Sequence, residues 1–246
     1  MPRPLVISLA LIACTLLLSS RLDAQDGFTS LFNGKDLAGW VIPAGDNGHW
    51  KVVDGVIDCD AESESTEKDK SLWSEKDYGD FTLHAEWRIK ATPFLNPRVP
   101  IILPSGKHKL GVDGKPIVTT VPDGDSGIYV RGTSKAQINI WNWPTGSGEV
   151  YGFRMDESMP DAVRAGVTPK FNADRNVGEW NEFDITMKGD RLTVVLNGQT
   201  VISEAQLPGI APRGKLALQH HGSKKNGEWT SSPSLVQFRN VKIKEL

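Results

Sequence analysis

The sequence predicts an all-β protein, a sandwich or barrel of short antiparallel strands. Three observations carry this expectation. Apolar and polar side chains alternate in run after run, which is the period-two signature of half-buried strands. Turn dipeptides separate the runs: Asp54-Gly55, Gly189-Asp190, Asn197-Gly198 and Pro208-Gly209. Helical periodicity is almost absent, and 24 glycines and eight tryptophans suit a turn-rich fold with an aromatic-lined surface.

Residues 1–24 stand apart from this pattern. Arg3 supplies a positive start, Leu5 to Leu18 an apolar stretch, and Leu22-Asp23-Ala24 a small residue at a cleavage point. This reads as a cleaved signal peptide, with a mature chain from near Gln25 that is periplasmic or extracellular. Leu11-Ile12-Ala13-Cys14 has the outline of a lipoprotein box, but a cut there would leave Thr15–Leu18 exposed, so lipidation is the weaker reading. The apolar stretch is too short to span a bilayer comfortably, and no second one follows; no membrane span is expected. Once Cys14 is removed, Cys59 is the only cysteine. No intramolecular disulfide is then possible, and Cys59 reads as a packed structural thiol.

The predicted strands of the mature chain, residues 25–246, follow in order. They are Trp50–Cys59, Ser71–Trp73, Phe81–Lys90, Gly127–Val130, Gln137–Trp141, Phe183–Lys188, Leu192–Leu196, Gln199–Ser203, Lys215–His220 and Ser234–Lys244. Asn197-Gly198 between two of these is the strongest hairpin signal. No linker or internal repeat is visible, so one domain is expected. Residues 92–122 interrupt the pattern with six prolines and a turn at Asp113-Gly114. They form a long excursion, functional or decorative, with room for a small hairpin. Residues 156–178 are loop-like, with one helical turn near Asp161–Ala165. Glu62–Asp69 reads as a solvated charged loop.

The formal net charge is −2, and no basic run interleaved with aromatics occurs, which argues against a nucleic-acid partner. Gly146-Ser147-Gly148-Glu149 is not a phosphate loop, since neither Lys-Ser/Thr nor a helix follows. His220 and His221 are adjacent and so point apart along a strand, with no third ligand evident; no metal or cofactor is expected.

The stretch from Asp125 to Tyr151 bears most on function. Ile128 and Val130 share one strand face, and Tyr129 and Arg131 the other. Ile138 and Ile140 oppose Gln137, Asn139, Trp141 and Trp143 in the same way. Parity puts Gln219 and His221 on the polar face too, and His220 on the other. An Arg, amides, a Tyr and two Trp on one face suit a sugar, which offers hydroxyls and a flat apolar ring face.

Several segments together resemble the 3-keto-disaccharide hydrolase family. They are Gly27–Trp40, Tyr78–Phe81, Asp125–Arg131, Gly178–Asn181, Leu196–Gly198, Leu218–Gly222 and Phe238–Lys244, and they run in order along nearly the whole mature chain. The resemblance implies a jelly-roll sandwich of the concanavalin A-like lectin/glucanase type. It also implies an extracytoplasmic enzyme acting on sugars oxidised at C3. Residues 92–122 are longer than the loop common in the family.

A ketone at C3 acidifies the C2 proton, so a modest base can remove it, the C1 substituent can leave, and water can add to the enone. Such chemistry needs a base, donors for the enolate and an acid for the leaving group. The candidate catalytic residues are Glu86, Arg131, Glu149 and His221. Arg131 is read as an enolate or hydroxyl ligand, or as an ion-pair partner of Glu86. Glu86 is read as a base or as that anchor. Glu149 is read as an acid or base at the rim, or in a rim salt bridge with Arg154. His221 is read as an acid or base. Asp125, Tyr129, Gln137, Asn139, Trp141, Trp143, Tyr151 and Gln219 are the candidate substrate ligands, with the two Trp as stacking platforms. Asp125 reads equally as a turn residue. Trp40, Trp50 and Trp180 are expected in the core. Two other functions stay open: a non-catalytic carbohydrate-binding module, and a conventional glycosidase using Glu86 and Glu149. The sequence does not indicate an oligomeric state.

Overall fold

The structure is a computed structural model that describes residues 27–246; the predicted signal peptide lies outside the described residues. In chain order the first strands are β1 (Thr29–Ser30), β2 (Trp40–Val41), β3 (Trp50–Val53), β4 (Val56–Cys59), β5 (Leu72–Tyr78) and β6 (Phe81–Ile89). Next come β7 (Phe94–Pro100), β8 (Val118–Asp123), β9 (Asp125–Val130) and β10 (Thr133–Trp141). Two short helices follow, α1 (Tyr151–Met155) and α2 (Asp161–Gly166). The chain closes with β11 (Asn181–Lys188), β12 (Arg191–Leu196), β13 (Gln199–Gln206), β14 (Gly214–Leu218), β15 (Ser223–Lys225), β16 (Glu228–Ser231) and β17 (Val236–Glu245). None of the described helices is long and apolar enough to cross a membrane.

The strands form two antiparallel sheets stacked as a jelly-roll sandwich. The first has eight strands in the order β13-β12-β11-β6-β17-β4-β3, with β1 beside β17. The second has five, in the order β10-β9-β14-β5-β2. Alternation puts Phe81, Leu83, Ala85, Trp87 and Ile89 of β6 inward, and the register pairs Leu83 with Ile185 and Ala85 with Phe183 of β11. From the second sheet, Ile128, Val130, Ile138, Ile140, Leu216 and Leu218 close the same core. Burying each such large side chain contributes about 1.5–3 kcal/mol.

Asn197 and Gly198 both have positive φ, at 51° and 76°, as a two-residue hairpin turn between β12 and β13 requires. Cys59 is fully buried, and burial pushes its thiol pKa up, consistent with a packing role. Trp40 and Trp50 are in the core as expected. Trp180 is not: it lies between the guanidinium groups of Arg88 and Arg239, at 4.7 and 4.0 Å, outside the first sheet.

The 92–122 excursion leaves the first sheet after β6 and returns to the second at β9. It is an arm built on the β7–β8 hairpin, extended by the bridges Ile102–His108 and Leu110–Pro116. Its inner bend docks on the helices. Arg154 of α1 donates to Gly106 O and contacts His108 Nε2, and Lys107 pairs with Asp161 of α2. The helical turn expected near Asp161–Ala165 is α2; α1 was not anticipated, because its five residues are too few to show a helical period.

Candidate active site

The outer face of the second sheet carries the site. Three rungs build it: Asp125 opposite Trp141, Gly127 opposite Asn139, and Tyr129 opposite Gln137, with Ala217 of β14 on the other side of Tyr129. Gln219 continues β14 and donates its backbone N–H to Gly127 O. A Cβ on Gly127 would lie 2.9 Å from Gln137 Cγ. The bare glycine lets the Gln137 side chain cross over it, and Gln137 Nε2 donates to Gln219 Oε1 at 2.6 Å. This amide pair forms the floor between two clefts.

The smaller cleft, about 180 Å³, is lined by Asp125, Gln137, Asn139, Trp141, Trp143, Tyr151, Gln219 and His221. The wider one, about 540 Å³, shares Gln219 and His221 and continues past Tyr129 to the segment from Lys68 to Lys70. The 62–69 loop is therefore not inert surface throughout, since Asp69 forms part of this wall and accepts from Trp73 Nε1. Tyr129 is buried and packs its ring 5.7 Å from that of Trp73. A separate pocket of about 450 Å³ opens between Trp40, Tyr78 and Ile243, and none of the candidate site residues lines it.

His221 is held at two points. Its backbone N–H donates to Ser234 Oγ, and its Nδ1 lies 2.6 Å from Ser232 O. A carbonyl only accepts, so Nδ1 carries the proton, and Nε2 of the neutral ring keeps its lone pair. Asp125 Oδ2 is 3.7 Å from Nδ1, and Ser234 Oγ donates to Asp125 O. Burial raises the Asp125 pKa to about 6; His221 opposes that shift and Asp123 adds to it. Asn139 is 1% exposed, and neither its amide nitrogen nor its amide oxygen has a protein partner. A buried amide left open at the floor of a cleft is a group kept for a ligand.

Asp123, which no sequence pattern singled out, braces this centre. Its Oδ2 accepts from Asn96 Nδ2 at 2.8 Å, Trp143 Nε1 at 3.0 Å and Ser232 Oγ at 2.7 Å. One carboxylate thus ties the root of the arm to the indole of Trp143 and to the residue that holds His221. Asp123 ends β8 and Asp125 opens β9, and nothing in the local sequence marks the first of the two acids as the brace.

Four sequence expectations are corrected. Glu86 lies on the outer face of the first sheet, bonded to Arg239 Nε at 2.6 Å and to Asn240, so it does not reach the site. Parity had assigned its face correctly but could not tell which sheet owned that face. Arg131 does not share the front with Tyr129. Its φ of 58° turns the chain at the end of β9 and sends the guanidinium over Phe81. There it pairs with Asp80 at 2.8 Å and donates to Tyr78 O, Pro212 O and Gly189 O, closing one end of the sandwich. Glu149 is fully buried rather than at the rim, with Arg154 Nε 2.6 Å from its Oε1. Burial pushes this carboxyl up to about 7, with Arg154 opposing. Trp141 offers no stacking face of the expected kind. Trp143 covers it at 3.9 Å and 9°, and the ring of Tyr151 meets it nearly at a right angle. Glu86 faces outward from the first sheet, and Glu149 is sealed beside β10 by Arg154, so neither carboxyl lines the clefts of the second sheet. Among the described residues, no three His, Cys, Asp or Glu side chains are grouped to hold a metal ion.

An antiparallel sandwich with an amide-floored, tryptophan-walled cleft on one sheet suits a carbohydrate-active protein. The chain belongs to the family described as the 3-keto-alpha-glucoside-1,2-lyase-like domain, whose model matches residues 27–244. Two solved structures from Parabacteroides distasonis ATCC 8503, each named a "putative glycosyl hydrolase", share the fold. One is 23% identical with a TM-score of 0.56, covering 92% of this chain and 96% of that one. The other is 22% identical with a TM-score of 0.56, covering 89% and 84%. No curated protein matches the chain.

Proposed function

We propose that the protein cleaves glycosides oxidised at C3 by elimination, followed by hydration. The oxidised ring occupies the smaller cleft. His221 Nε2 takes the C2 proton, and the C–H electron pair forms the C2–C3 double bond of an enolate. Asn139 Nδ2 donates to the C3 oxygen as negative charge gathers there, the task expected of Arg131 from sequence. The enolate then expels the C1 substituent, giving the C1–C2 enone, and protonated Asp125 supplies the proton to the departing oxygen. The raised pKa of Asp125 suits it to that role. Water adds at C1 with the roles reversed: Asp125 removes its proton, and His221 returns one to C2. The wider cleft receives the leaving group, because His221 lines both clefts.

The observation that carries this reading is the unpartnered Asn139 amide at the floor of the cleft that holds Asp125 and His221. The test is incubation with a 3-keto-disaccharide deuterated at C2, beside its unoxidised parent. Loss of deuterium to solvent with cleavage of the keto substrate alone is expected. Cleavage of both with retention of the label would overturn it, and binding without cleavage across a panel of 3-keto-glycosides would point to a non-catalytic module. Export through residues 1–24 belongs to the same proposal; a mature N-terminus near Gln25 in secreted material is the expected finding.

A further inference from the structure

A third cleft lies beyond the tryptophan pair. It has a volume of about 280 Å³ and is walled by Trp141 and Trp143, with Asn142, Asn172, Asp174, Arg175, Asn176 and Val177 making up the rest. The sheet order β10-β9-β14 decides its position. The wide cleft opens from the smaller one on the β14 side, past Gln219 and His221. The third cleft opens on the β10 side, past Trp141 and Trp143. The reacting ring of the proposed function therefore sits between two further spaces, and the leaving group accounts for only one of them.

The chemistry of the third cleft suits a hydroxylated ligand. The Asn176 side chain makes no hydrogen bond within the protein, while its backbone is held by Glu179. Asn142 spends Nδ2 on Pro122 O, and Asn172 spends Oδ1 on the Asp174 N–H, which leaves Asn142 Oδ1 and Asn172 Nδ2 open. At the base of the cleft, a narrow crevice is lined by Trp87 and Asp174. Trp87 Nε1 and Asp174 Oδ1 are both buried there without a protein partner. This crevice measures only about 10 Å³, room for at most one water and not for a sugar hydroxyl, so the ligand-facing groups are the open amides above it. One cleft wall is the indole of Trp143, fixed by its bond to Asp123.

We propose that this cleft is a subsite for a further sugar unit, carried by the oxidised ring on the side away from the leaving group. The protein then acts on oligosaccharides or branched glycosides whose oxidised ring is not the terminal unit. The position of the unit rests on the proposed function; the sugar-binding character of the cleft does not.

Val177→Trp would fill the cleft, and Asn176→Ala would remove an open amide; both residues are exposed and lie outside the catalytic groups. The measurement is calorimetric titration of the mature protein and both variants. The probes are unoxidised glucose disaccharides and trisaccharides with α-1,4, β-1,4 or β-1,3 links. At least one trisaccharide should bind the unmodified protein about tenfold more tightly than its disaccharide, the yield of one or two net hydrogen bonds. Val177→Trp should abolish that increment and Asn176→Ala reduce it, with disaccharide affinity unchanged. Equal affinities for the two lengths, no binding of any trisaccharide, or equal weakening of both lengths in the variants would overturn the subsite. If the increment behaves as expected but no 3-keto-glycoside is cleaved, the reaction fails and the subsite stands.

Discussion

The outer faces of the two sheets carry the same kinds of residue in the same alternation, yet they are finished differently. On the first sheet, Glu86 is bonded to Arg239 and Asn240, His84 meets Asp184 at 2.8 Å, Thr82 meets Thr186, and Trp180 lies between two arginines. On the second sheet, Asn139 has no partner and Asp125 Oδ1 has none. Polarity on alternate residues marks a face; unmet hydrogen-bonding capacity on that face marks a place for a ligand.

The largest test of this contrast is His221→Ala. Turnover of a 3-keto-disaccharide should fall by roughly 10²- to 10⁴-fold with the thermal midpoint little changed, measured by steady-state kinetics beside calorimetry. A drop of less than about threefold would remove the distinction between the faces.

Next in size is Arg131→Ala. It leaves Asp80 and three carbonyl groups without their cation, and should cost about 3 kcal/mol in denaturant unfolding. The turnover of the folded fraction should stay unchanged. A selective loss of turnover would return Arg131 to the site.

Asp123→Asn should act in between. Asp123 helps to raise the Asp125 pKa, so removing its charge lowers that pKa. If protonated Asp125 is the acid, activity is lost as pH rises through about 6, and in the variant this alkaline limb moves to lower pH. Near-ultraviolet circular dichroism should also report a loosened Trp141–Trp143 stack. A purely structural role would change the spectrum and leave the limb where it was.

Glu86→Gln should do least. Its ion pair is partly exposed, and such pairs are worth at most about 1 kcal/mol. Turnover should remain within about twofold of the unmodified protein.

These outcomes bear on what could be read from the chain alone. The longer strands of both sheets were legible because burial imposes strict alternation, as in Phe81 to Ile89, whereas the two-residue β1 and β2 are too short to alternate. Gln137, Asn139, Gln219 and His221 were legible for the same reason. Glu86 was misplaced because alternation is blind to which sheet a strand joins. Arg131 was misplaced because one residue of left-handed backbone ends the parity rule. Glu149 was misplaced because a glycine-rich approach reads as a flexible rim, whereas Gly146 and Gly148 pack closely against Asn172 and Val201. Ser232, Ser234 and Asp123 escaped notice because their role is to hold other residues, which leaves no local pattern.

The arm over residues 94–123 is clamped at two places, at its root where Asp123 accepts from Trp143 and Ser232, and at its inner bend by Arg154 and Asp161. A beam fixed at two points cannot swing as a flap. Its overhang around Asp113-Gly114 stands clear of both clamps, and Val112 there is fully exposed. Amide exchange should therefore be slow from the root to the inner bend and fast at the overhang. The arm therefore braces the tryptophan wall through Asp123 and does not cover the cleft, whose lining takes no residue from 94–122. Turnover should be insensitive to solvent viscosity, with no slow opening step before the chemistry.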